Sequence, residues 1–194
     1  MLNLPNLLSI CRILLVPPLV VVLLTRFEGK EWWGLGLFLL AAFMDFLDGF
    51  LARRRQQVTR LGTLLDPAAD KILMSAAFIS LVEMQLAPAW MVVVIIAREF
   101  AVTALRGFAA SESLVIPAGL SGKLKTISQI VAVAVLIIHN QLPQELRHSA
   151  PISLWTAVVL TAYSGVEYFV RFGRLLFADE IRRGSLLASP RPRP

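Results

Sequence analysis

The chain has 194 residues, of which 57% are hydrophobic and 16% charged, against about 45–50% and about 25% in a soluble domain. Nineteen Lys and Arg against thirteen Asp and Glu give a net charge of +6. The basic residues lie between apolar blocks, so the partner they suit is an anionic membrane surface and not nucleic acid. The single cysteine, Cys11, excludes an intramolecular disulfide and a Cys-rich zinc site.

In chain order, six segments hold the roughly 20 mostly apolar residues that a membrane-spanning helix needs: 7–25, 32–52, 62–85, 88–110, 122–140 and 152–172. The first contains Pro17-Pro18, which predicts a kink. It is too long for a signal-peptide core and no small-residue cleavage pattern follows it, so it is expected to be retained. The connection 53–61 carries Arg53, Arg54, Arg55 and Arg60, and the connection 106–125 carries Arg106, Lys123 and Lys125. The C-terminal segment carries six further arginines, whereas the alternate loops hold only Arg26, Lys30 and Arg147. With six spans this bias puts both termini in the cytoplasm. The expectation is an all-α integral membrane protein with one catalytic domain over 1–177. Residues 178–194, ending in "SPRPRP", read as a basic, flexible tail.

The second and third segments enclose the stretch "MDFLDGFLARRRQQVTRLGTLLDPAAD". Asp45 and Asp48 sit in the last turns of the second helix, on one face with Gly49 and Ala52. Asp66 and Asp70 are four residues apart in the first turns of the third, with Gly62 before them. The short connection makes the two helices antiparallel neighbours, so four carboxylates converge between them. At about 1.5 Å per residue, Asp45 lies roughly 12 Å inside Arg53, below headgroup level. A single charge at such a depth costs about 2.5–3.5 kcal/mol, so the cluster needs cations. Ion pairs with Arg53–Arg55 would reach only its outer edge. An all-oxygen set without His or Cys suits Mg²⁺ or Mn²⁺, and four carboxylates suffice for two ions of the kind that clamp phosphoryl oxygens. Gly49, Ala52 and Gly62 leave room between the helices, either for a bulky ligand or for close helix packing. Arg53, one turn above Gly49, has the fork that binds phosphate.

This stretch fits D-x2-D-G-x2-A-R-x8-G-x3-D-x3-D without a departure and resembles the signature of the CDP-alcohol phosphotransferases. The resemblance implies a six-helix membrane enzyme that moves a phosphatidyl or related group from a CDP-linked donor to an alcohol and releases CMP. It implies that Asp45, Asp48, Asp66 and Asp70 ligate two Mg²⁺ or Mn²⁺ ions and that Asp70 is also the base for the acceptor hydroxyl. It places Gly49, Ala52, Arg53 and Gly62 around the CDP moiety with Thr59 nearby, and brings Asn6 of an N-terminal Pro5-Asn6 element to the donor site. Members of the family are usually homodimers.

Three further stretches bear on the acceptor. In "NLPNLLSICRI", Asn3, Asn6, Ser9 and Arg12 form a slowly drifting polar strip. It reads either as part of the donor site, with Arg12 paired to an anion, or as an interfacial anchor whose Arg snorkels to the surface. In "AREFAVTALR", Arg98 and Glu99 lie within the fourth span and Arg106 near its end; in "GKLKT", Lys123 and Lys125 open the fifth. An internal pair of Arg98, with Glu99 or with an aspartate, and positive-inside bias would account for them separately. Together, Arg98, Arg106, Lys123 and Lys125 make a cationic pocket beside the metals, which a phosphorylated acceptor needs and serine does not. These runs are similar to those of bacterial family members that join CDP-diacylglycerol and glycerol 3-phosphate, giving phosphatidylglycerophosphate and CMP at the cytoplasmic face of the inner membrane. Inositol phosphate is the alternative acceptor. Buried aspartates also mark ion pathways, so a carboxylate-based transporter is the alternative of another class, although no inverted repeat is visible. A polyprenyl-type transferase would lack the Gly49, Ala52 and Arg53 seat. His139 and His148 fall far from the aspartates and read as solvated loop residues.

Overall fold

The computed structural model describes the backbone of residues 4–55, 60–111 and 120–188, and the side chains of 6–47, 65, 67–111 and 120–175. Among them are six long helices: α1 (Leu4–Leu24), α2 (Lys30–Arg55), α3 (Arg60–Glu83), α4 (Ala89–Ser111), α5 (Leu120–Ile137) and α6 (Ser149–Ala188). Two short 3-10 turns, His139–Gln141 and Gln144–Leu146, join α5 to α6. No strand occurs among the described residues.

Alpha1 organises one half of the bundle. Its buried residues Asn6, Ser9, Arg12, Val16, Leu19 and Leu23 recur every three or four positions, so they form one stripe. That stripe packs along both α2 and α3. Among the described residues α2 and α3 touch each other along a shorter stretch than either shares with α1. The inserted wedge is α1, whose stripe is polar toward its N-terminus and apolar toward its C-terminus. The helix also continues through Pro17 and Pro18.

In the other half α6 packs along α5 and α4. A buried hydrogen bond of 2.9 Å from Gln129 Nε2 to Thr161 Oγ1 ties α5 to α6. The two halves close over one core that includes Leu19, Phe38, Phe78, Ile95, Val133 and Leu154, one from each helix. Alpha6 runs on to Ala188, so residues 178–188, expected to belong to a flexible tail, continue the helix. They contain no proline; the first after them is Pro190.

The outer surface is apolar on every helix: Leu14, Phe43, Ile79, Val93, Ile127 and Val159 are all exposed. A bundle that is greasy outside as well as inside suits a lipid environment. Among the described residues, three segments are long and apolar enough to cross a membrane: Asn6–Leu24, Leu120–Ile137 and Gln144–Leu175. Alpha2, α3 and α4 have 26, 24 and 23 residues, ample for a span, but they carry the charges of the site.

Candidate active site

One cavity of about 660 Å³ opens at the end of the bundle where α2 and α4 finish and α3 and α5 begin. That volume is typical of a small-molecule site. Asp45 of α2 and Asp70 of α3 line it, together with Lys71 of α3. Alpha4 adds Arg98, Glu99 and Arg106, and α5 adds Lys123 and Lys125. Six of the site residues expected from the sequence thus line one cavity. Two aspartates and four cations come there from four helices.

The charges are tied to one another. The guanidinium of Arg12, on α1, donates to the Asp45 carboxylate. Arg12 is fully buried, so it does not snorkel, whereas the Asp45 side chain is 43% exposed and keeps a face open to the cavity. On the opposite wall Lys125 Nζ donates to the carboxylate of Glu99, and Arg98 Nη1 donates to the same oxygen at 3.3 Å. Lys71 turns back along its own helix, its Nζ donating to the Pro67 carbonyl at 2.9 Å. Arg106 lies over the ring of Tyr168 on α6, 5.3 Å from the ring centre, within cation–π range.

Asp48, Gly49, Ala52 and Arg53 lie on α2, and Gly62 and Asp66 on α3. Their side chains are outside the described residues, as is Thr59 altogether. Asn6 is buried in the same stripe as Arg12. His139, Arg147 and His148 border a separate hollow at the opposite end of the bundle. Glu83 is exposed at the end of α3.

The donor chemistry fits a hard divalent cation. Asp45 and Asp70 bring carboxylate oxygens to one cavity, and neither His nor Cys is among the described residues of its wall. No group of three His, Cys, Asp or Glu comes together among the described residues. Asp45 and Asp70 are the described half of the four-aspartate pattern, and Asp45 is paired with the buried Arg12.

Two participants carried weaker signals in the sequence. The partner of Arg12 was not identifiable, although an arginine in an apolar run demands an anion. Glu99 is adjacent to Arg98, which suggested a local pair. That Lys125 shares it, 26 residues away, follows only from the fold, which brings α4 and α5 to the same cavity.

The family model of the CDP-alcohol phosphatidyltransferases matches residues 2–163. A Bacillus subtilis protein named CDP-diacylglycerol–glycerol-3-phosphate 3-phosphatidyltransferase is 46% identical over 183 residues, covering 87% of this chain and 94% of that protein. Proteins of the same name from Rickettsia prowazekii and Haemophilus influenzae are also similar. The first is 36% identical over 169 residues, 86% of this chain and 93% of its own length. The second is 33% identical over 190 residues, 95% and 96%.

Proposed function

The chain belongs to the CDP-alcohol phosphatidyltransferase family, and from that premise we propose that it transfers the phosphatidyl group of CDP-diacylglycerol to glycerol 3-phosphate, releasing CMP and forming phosphatidylglycerophosphate. Membership makes it an enzyme of the phosphatidyltransferase type and removes the ion-transporter alternative. The observation that carries the choice of acceptor is the single cavity shared by Asp45, Asp70, Arg98, Arg106, Lys123 and Lys125. A neutral or zwitterionic alcohol has no use for four cations beside its hydroxyl, whereas a phosphate monoester does. The names of the similar proteins point to the same acceptor.

Asp45, Asp48, Asp66 and Asp70 would hold two divalent cations, Mg²⁺ or Mn²⁺. When bound, these supply the positive charge that polarises the diphosphate and stabilises departing CMP. Arg53, with the small Gly49, Ala52 and Gly62, seats the cytidine diphosphate; Thr59 and Asn6 complete that seat. The buried position of Asn6 supports its part in this reading. Arg98, Arg106, Lys123 and Lys125 take the phosphate of the acceptor and so orient its hydroxyl toward Asp70. As the hydroxyl oxygen bonds to the phosphatidyl phosphorus, its proton passes to Asp70 and the phosphorus–oxygen bond to CMP breaks.

All six helices cross the membrane, in one catalytic domain over 1–177 with both termini in the cytoplasm of a bacterium and the active site at the inner leaflet. Exposed apolar side chains on every helix support the six crossings. The four tryptophans mark one membrane boundary, and the Lys/Arg bias of the opposite loops supports the orientation. Trp32, Trp33, Trp90 and Trp155 all lie near the starts of α2, α4 and α6, and Trp90 meets Trp155 edge to face. That end is opposite the cavity and reads as the far aromatic belt, with the arginine-rich ends inside. A homodimer belongs to the same reading through the family resemblance. Mass spectrometry of the lipid formed in proteoliposomes from CDP-diacylglycerol and glycerol 3-phosphate tests the proposal. Phosphatidylglycerophosphate that disappears with EDTA is expected; unchanged CDP-diacylglycerol with folded protein, under conditions in which the similar Bacillus subtilis protein forms that product, would overturn it.

A further inference from the structure

Cations gathered on one wall repel each other, and flexible side chains would scatter toward water. Three contacts oppose this. The carboxylate of Glu99 accepts hydrogen bonds from both Lys125 and Arg98, whose side chains are only 7% and 12% exposed. On α6, Gly165 lies directly beneath Arg98: a Cβ there would come within 3.0 Å of Arg98 Cγ. The missing side chain therefore makes the seat for the stem of Arg98. One turn further along α6, the Tyr168 ring supports Arg106. Two arginines of α4 thus lean on consecutive turns of α6, while one carboxylate ties α4 to α5.

We propose that Glu99 and Gly165 are positioning residues for the phosphate of the acceptor. They hold Arg98 and Lys125 in one arrangement before that phosphate arrives, so the wall recognises a phosphate monoester without first ordering two long side chains. Glu99 acts by bridging the two cations, and Gly165 by leaving room for Arg98. This inference rests on the acceptor reading above, but it concerns the second layer of side chains and not the groups that touch the substrate.

The test is the initial rate of CMP release by the full chain in mixed micelles, varying glycerol 3-phosphate and CDP-diacylglycerol in turn. Wild type, Glu99→Gln, Glu99→Asp and Gly165→Ala are compared, each with its thermal unfolding profile. Glu99→Gln is expected to raise KM for glycerol 3-phosphate on the order of tenfold, leaving that for CDP-diacylglycerol within about twofold. Glu99→Asp restores most of the loss, because a carboxylate remains. Gly165→Ala shifts the same KM by about threefold or more, and it decides the matter if Glu99→Gln does not fold, since it adds one methyl group and changes no charge. Unchanged KM for glycerol 3-phosphate in folded Gly165→Ala and Glu99→Gln would overturn the inference, as would an equal rise for both substrates. If wild type releases CMP only with a different phosphorylated acceptor, the acceptor reading fails and the KM for that acceptor tests the positioning role by itself; release only with an acceptor that has no phosphate overturns both.

Discussion

Replacing Arg12 by Met tests whether the aspartate cluster is built to be neutralised by cations. Arg12 is fully buried and its guanidinium pairs with Asp45. Breaking a wholly buried ion pair costs about 3–5 kcal/mol because the remaining charge is stranded. Asp45 is not stranded, since 43% of its side chain stays exposed. The cost therefore falls to about 1.5–3 kcal/mol, the range for a hydrogen bond to a charged group. Methionine keeps an unbranched apolar stem in the buried stripe, which limits the packing loss. A divalent cation at the aspartates would supply the missing positive charge, so metal should recover most of the deficit. The assay is thermal unfolding of purified wild type and Arg12→Met in EDTA and in saturating Mg²⁺, with Mn²⁺ binding followed by electron paramagnetic resonance. At about 2–4 °C per kcal/mol for a chain of this size, the variant should melt roughly 3–12 °C lower in EDTA, and Mg²⁺ should at least halve the gap. An equal gap in EDTA and Mg²⁺ would refute the reasoning, because Arg12 would then be structural and independent of the metal.

Asp70→Asn should lower turnover by about 10²–10⁴-fold, the usual worth of a general base, with the melting profile kept; near-normal rates would remove Asp70 from the chemistry. Lys125→Met should raise KM for glycerol 3-phosphate on the order of tenfold with less effect on kcat, read from the same CMP-release kinetics. Gln85 closes α3 in a left-handed conformation with φ 60°, and the Leu86 amide donates to the Leu81 carbonyl at 2.9 Å across it. Glycine adopts this conformation without the Cβ penalty. After allowing for its greater freedom when unfolded, Gln85→Gly should stabilise the protein by about 0.5–1 kcal/mol, seen as a higher melting temperature with activity unchanged.

The helices were legible because each is a long apolar run closed by charge or turn residues. The 7–25, 88–110 and 122–140 segments lie within a few residues of α1, α4 and α5. The pattern of the site was legible too, since Asp45 and Asp70 needed only helical spacing and a short connection to be brought to one end. What could not be read was which helix lies against which. Periodicity identifies the buried stripe of α1 but not its partners, and so the insertion of α1 between α2 and α3 was missed. The same gap hid the burial of Arg12 and the sharing of Glu99 by Arg98 and Lys125. The continuation of α6 past residue 177 was masked by the Pro-rich end, whose first proline comes only at 190.

The most direct test of the central claim is CMP release by the purified chain in mixed micelles with CDP-diacylglycerol and Mg²⁺, offering glycerol 3-phosphate, inositol phosphate and serine separately. Release with glycerol 3-phosphate alone, abolished by EDTA, is the predicted result. Release with inositol phosphate or serine but not with glycerol 3-phosphate would contradict it.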